Sequence, residues 1–173
     1  MASKNEVKEV LKRFFIEVPS WAYGNSGTRF KVFSSAGVPR DPFEKVADAA
    51  QVHKFTGAAP AVAMHIPWDR VSDYKALAKH ANDLGVRLAT VNSNTFQDDD
   101  YKFGSVCHPD AKIRQKAVDH LFECVDIMDQ TGAQDIKLWF ADGTNYPGQD
   151  DLRGRQERLA QSLKKLYDRL GDN

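Results

Sequence analysis

His65 and Asp69 stand four residues apart at the end of an apolar run, with Trp68 between them. A histidine inside such a run is costly to bury unless its ring nitrogens are bonded. A carboxylate on one nitrogen would fix the tautomer and leave the other free to exchange a proton with a ligand. The alternative is a structural histidine with satisfied bonds. Similar residues recur at three more places: Trp21; Asn92, Asn94 and Phe96; and Trp139, Asp142 and Asn145. All three tryptophans of the chain fall in this set. Flat aromatic faces beside amides and carboxylates suit a sugar, which offers apolar C–H faces and a rim of hydroxyls. The tryptophans could instead fill space under loops, and the two asparagines could bond turn backbone.

Other chemistries find little support. There is no HExxH, no CxxC, no Ser–His–Asp arrangement and no carboxylate cluster shaped for a cation; Asp98-Asp99-Asp100 reads as a solvated loop run. Gly24 to Arg29 lacks the lysine and following helix of a phosphate loop, and no GxGxxG follows the first strand. His53, His80 and His120 fall on expected helices without partner spacing and read as solvated. Arg153 to Arg158 and Lys164-Lys165 read as the wet face of a helix.

The elements that must carry these residues alternate. A helix is expected over Ser3–Phe14, with Val7, Val10, Leu11 and Phe14 on one face, then a strand over Phe15–Ser20 and a loop from Asn25 to Phe30. Asp41-Pro42-Phe43-Glu44 starts a helix, with Asp41 as cap and Glu44 placed for a capping box, and Gly57 stops it. Ala61–Ile66 reads as a buried parallel strand. The cycle repeats as helix Ser72–Leu84, strand Val86–Val91, a long helix opened by Pro109-Asp110 and ended by Gly132, strand Asp135–Phe140, and a last helix with Leu152, Leu159, Leu163, Leu166, Tyr167 and Leu170 on its stripe. Four β–α units with helical crossovers imply an α/β fold with a parallel sheet. The clustering of unusual residues at strand ends favours the first half of a (β/α)8 TIM barrel over an open flavodoxin-like sheet, since barrel sites lie at that mouth.

Composition is consistent with this. The 173 residues suffice for one domain but fall short of the ~250 typical of a complete barrel, so one partial domain spanning 1–173 is expected, its second half absent. Lys plus Arg and Asp plus Glu are 24 each, which argues against a nucleic-acid or membrane-surface partner. Cys107 and Cys124 are expected as free thiols in a reducing cytoplasm, and neither a signal peptide nor a membrane span is expected. With Val62, Met64, Leu88 and Leu138 expected on an uncovered inner face, the half barrel is expected to self-associate, flatten into an open sheet or stay partly molten.

Five segments together resemble bacterial L-rhamnose isomerases, in particular the branch of broad specificity: Val18-Pro19-Ser20-Trp21, Gly27-Thr28-Arg29-Phe30, His65-Ile66-Pro67-Trp68-Asp69, Asn92-Ser93-Asn94-Thr95-Phe96, and Trp139 through Gln149. The resemblance runs from about Phe14 to the end of the chain. It implies a xylose isomerase-like barrel and a metal-dependent aldose–ketose isomerase that moves hydrogen between C1 and C2 of L-rhamnose and related sugars. It further implies divalent cations, often manganese, and a homo-oligomer, typically a tetramer. On that likeness His65 and Asp69 match the catalytic pair of ring opening, and Trp21, Trp68, Phe96 and Trp139 match pocket walls. Phe30 matches a loop residue that reaches a neighbouring subunit's site. In the family the metal ligands belong to the second barrel half, so none is expected in this chain, and the chain alone is expected to be inactive. A sugar-binding module without catalysis and an epimerase of the same superfamily are the alternatives.

Overall fold

The computed structural model describes residues 2–28, 31–140, 142 and 150–171. In chain order the elements are α1 (Lys4–Lys12), β1 (Glu17–Pro19), a 3-10 turn (Ser20–Tyr23), β2 (Ser26–Thr28), β3 (Lys31–Phe33), α2 (Pro42–Thr56), β4 (Ala61–Ile66), α3 (Tyr74–Asp83), β5 (Arg87–Ser93), a 3-10 turn (Asp99–Phe103), α4 (Ala111–Thr131), β6 (Asp135–Lys137) and α5 (Leu152–Leu170). Strands β1, β4, β5 and β6 form a parallel four-stranded sheet in that order. Each neighbour in the sheet is the next β–α unit in the chain, the connectivity of one side of a (β/α)8 barrel.

Period-two alternation decides which side chains meet the helices. Val62, Met64 and Ile66 of β4, with Leu88 and Val91 of β5, pack into one core with Val46, Ala49 and Ala50 of α2, Leu77 and Ala81 of α3, and Cys124, Ile127 and Met128 of α4. The other face then carries Ala61, Ala63 and His65, together with the residues in register with them, among them Glu17, Thr90, Asn92 and Lys137. The register slips between Val62 and Ala63, which leaves Ala89 outside the pairing and keeps Thr90 and Asn92 beside Ala63 and His65. This corrects the expectation for the inner face. If His65 points into the barrel, Val62 and Met64 must point out, and both are at most 1 % exposed under the helices. Leu88 is buried in the same core, and Leu138 packs with Tyr101, Leu121, Val125 and Leu166 in a second cluster beneath α4 and α5.

The helix signals correspond to physical caps. Asp41, Asp73, Asp110 and Asp151 each accept from a backbone N–H of the following first turn, and Gly57 and Gly132 end α2 and α4 at φ +67° and +74°. Glu44 departs from the expected capping box. Its carboxylate takes the backbone N–H and guanidinium of Arg40 in place of the N–H of Asp41. The region expected as a loop after Trp21 contains an antiparallel hairpin, β2 with β3, whose three-residue strands are too short to show a period. The capped helix α1 forms, yet Val7, Val10, Leu11 and Phe14 lie open to solvent and none of its residues is buried. Among the described residues no helix is long and apolar enough to cross a membrane.

Candidate functional site

The strand ends converge as a cluster of rings. β4 ends at Ile66, and Asp69 N–H donates to the His65 carbonyl at 2.8 Å, a tight turn that folds Trp68 back over His65. The two rings stack at 3.7 Å between centroids, 13° from parallel. Trp21, from the turn after β1, meets the imidazole edge-on at 5.4 Å, and Phe96, beyond β5, does so at 5.8 Å. Phe96 in turn abuts Trp139 at 4.6 Å and 89°. Together these rings, with Asn92, Ser93 and Lys137, line a cavity of about 320 Å³. That is small-ligand size. Larger hollows of about 410 and 770 Å³ lie toward the strand starts, with no comparable convergence of rings and polar groups. Phe30 and Asn145 fall outside the described residues.

The imidazole of His65 is not held by Asp69, as the spacing had led one to expect. The Asp69 carboxylate accepts from the His65 backbone N–H at 2.7 Å, from the Ser20 hydroxyl, and from Lys45 Nζ at 2.6 Å. The tight turn aims the carboxylate at the strand backbone and not at the ring. Nδ1 of His65 is buried and finds no hydrogen-bond partner among the described residues. Burial lowers the His65 pKa from 6.5 to about 4, against the opposing pull of the Asp69 charge. The ring is therefore neutral at pH 7, with one bare nitrogen and one N–H.

Several neighbours fix the walls. Gln97 Oε1 accepts from Trp68 Nε1 at 3.0 Å and from Asn94 Nδ2 at 2.6 Å. Asn92 Nδ2 donates to the Met64 carbonyl at 2.9 Å, so both asparagines make structural bonds, and Asn92 also borders the cavity. His120 is not a solvated side chain. Its Nε2 accepts from the backbone N–H of Asn94 at 3.0 Å, which puts the ring proton on Nδ1, facing Glu123 at 3.1 Å. Asp142 does not join the mouth. Its carboxylate takes the Ser105 N–H and hydroxyl, each at 2.6 Å, and faces the thiol of Cys107 at 3.1 Å. Ser20, Lys45, Gln97 and His120 thus support the site without having been expected to, His120 having read as solvated. Ser20 had the signal of directly preceding Trp21, whereas Lys45, 24 residues from Asp69, had none.

The resemblance implies a divalent cation, which would need convergent oxygen or nitrogen donors. Among the described residues no three His, Cys, Asp or Glu side chains form a metal-holding group. The cavity is bordered by one imidazole, the side chains of Asn92, Ser93 and Lys137, and aromatic rings, which is not a donor set for a hard cation.

No family model matches the chain. It is 41% identical over 172 residues to a probable sugar isomerase of Rhizobium meliloti (strain 1021), covering 96% of this chain and 40% of that protein. It is 39% identical over 166 residues to a probable sugar isomerase of Mesorhizobium japonicum, covering 93% of this chain and 38% of that protein. The chain thus spans about two fifths of the curated relatives it matches. Among solved structures it superposes on an L-ribulose 3-epimerase with TM-score 0.62 at 15% identity, covering 91% of this chain and 46% of that one. A D-allulose 3-epimerase from Methylomonas sp. gives TM-score 0.62 at 18% identity, with 92% and 49% covered. The chain has probable sugar isomerases as sequence relatives, and its fold is the parallel α/β arrangement that makes up about half of TIM-barrel epimerases.

Proposed function

We propose that this chain supplies the sugar-facing half of a (β/α)8 aldose–ketose isomerase active site, for L-rhamnose and related sugars. The observation that carries the reading is the cavity itself: four aromatic rings around a buried, neutral imidazole with an unpartnered nitrogen. The rings suit the apolar faces of a pyranose. A neutral imidazole is suited to move the anomeric hydroxyl proton to the ring oxygen as the C1–O5 bond breaks, which opens the sugar to its reactive aldehyde. His65 is the catalytic residue in this scheme, Trp21, Trp68, Phe96 and Trp139 bind the sugar, and Asp69 holds the site's backbone. Manganese or another divalent cation, and a homo-oligomer with Phe30 at a subunit contact, belong to the family reading.

Tryptophan fluorescence tests the reading, because every tryptophan of the chain lines the cavity. L-rhamnose is expected to shift the emission of this chain saturably in the millimolar range, and Trp139→Ala is expected to remove most of the shift. Absence of any saturable change in the unmodified chain would overturn the reading. In a complete protein, His65→Ala should lose most conversion of cyclic L-rhamnose to L-rhamnulose and leave bound metal unchanged. A second reading, sugar epimerisation, is supported by the epimerases that share the fold. Product analysis separates the two: a C2 ketose from an aldose favours isomerisation, and a C3-inverted ketose favours epimerisation.

A further inference from the structure

We propose that Lys45 is a positioning residue for the aromatic cavity, acting through Asp69; the inference rests on the sugar-site reading and extends it to a residue on α2 that no wall of the cavity includes. Asp69 is 1 % exposed, and a carboxylate so buried needs both a countercharge and filled lone pairs. It has them from three separate elements: the Ser20 hydroxyl in the turn after β1, the His65 N–H at the end of β4, and Lys45 Nζ on α2 at 2.6 Å. The Lys45 side chain is itself only 13% exposed, so the pair is screened little by solvent.

The sequence positions of those donors give the arrangement its consequence. Ser20 directly precedes Trp21, Asp69 directly follows Trp68, and His65 is the ring between those two tryptophans. One carboxylate therefore registers three of the cavity's rings against one another, and the ammonium of Lys45 holds it turned inward. Without that countercharge the buried carboxylate turns toward water, and Ser20 and the β4 end lose their common acceptor.

Circular dichroism of the chain in the near ultraviolet reads the packing of its tryptophans. Lys45→Met is expected to retain the far-ultraviolet spectrum and lose roughly half of the near-ultraviolet tryptophan amplitude, measured well below its melting temperature. Its half-saturating L-rhamnose concentration should rise about tenfold. Lys45→Arg, which keeps the charge, should restore both. An ion pair that merely stabilises the fold would lower the melt of Lys45→Met and leave the native near-ultraviolet bands unchanged, and that result overturns the proposal, as does an Arg variant no better than Met. Should Lys45→Met not fold, the double variant Lys45→Met/Asp69→Asn removes the buried charge too. It is expected to fold with weakened bands, and unmodified bands in it overturn the proposal. If the bands depend on Lys45 but the unmodified chain binds no sugar, the positioning role stands and the sugar reading fails.

Discussion

At His65 the cavity's chemistry and the protein's acid stability are the same quantity. Its folded pKa of about 4 lies below the unfolded value near 6.5 because burial disfavours the charged ring. Between those values the unfolded chain binds more protons than the folded one. Stability from this group is therefore complete above about pH 6.5 and is lost as the pH falls toward 4. The shift bounds the loss at ~3 kcal/mol, and water in the open cavity reduces it. Urea unfolding at pH 7.5 and 4.5 should show the unmodified chain losing more stability than His65→Gln does over the same interval. Equal losses would mean that the ring is not desolvated as described. What was legible at this scale was the set of ring residues, because tryptophan and histidine at strand ends are conspicuous against apolar runs. The hydrogen bonds of Asp69 were not legible, since a spacing of four residues is compatible with bonding either to the ring or to the strand backbone. The turn through Pro67 selects the backbone.

Elements were read well where one local signal fixes them. The Asp–Pro start and Gly57 stop of α2, and the full length of β4, depend on caps and a continuous apolar run, both local. The hairpin β2–β3 depends on pairing between two three-residue strands and leaves no local trace. Asp142 shows the same limit for a single side chain. Its polar, loop-like neighbours placed it at the mouth, whereas it joins the segment after β6 to the loop ahead of α4, through the fully buried Ser105. Asp142→Ala strands the Ser105 N–H and hydroxyl, which should cost about 2 kcal/mol in urea unfolding. The same substitution should leave the response of tryptophan fluorescence to L-rhamnose intact. A loss of sugar response with stability unchanged would return Asp142 to the site.

At the scale of the whole molecule, the sheet's inner face is small and polar, and this alters what an isolated half barrel needs. Small Ala61 and Ala63 alternate inward along β4, beside Thr90, Asn92, Glu17 and Lys137 of the neighbouring strands, so the apolar inner face that would have driven self-association is not there. Curvature supplies a contact of its own. β1 and β6 are the outer strands of the four, and Glu17 on the first pairs with Lys137 on the last across the concave side. Side chains leave a sheet roughly at right angles, so these two meet only because the strands between them bend. An exposed ion pair contributes little, and Lys137 is 56% exposed, but Glu17 is only 17% exposed. One Glu17 oxygen is buried without a partner among the described residues, and the other depends on Lys137. Lys137→Met should therefore destabilise the chain by about 1–3 kcal/mol, chiefly by leaving a half-buried carboxylate unbonded. Adding Glu17→Gln should recover most of that loss, because a neutral amide is cheaper to leave there. Urea unfolding of the two single variants and the double variant gives the coupling directly. If Lys137→Met costs no more than an ordinary surface substitution and the two changes add, the pair does not tie the outer strands together and the bend belongs to the backbone alone.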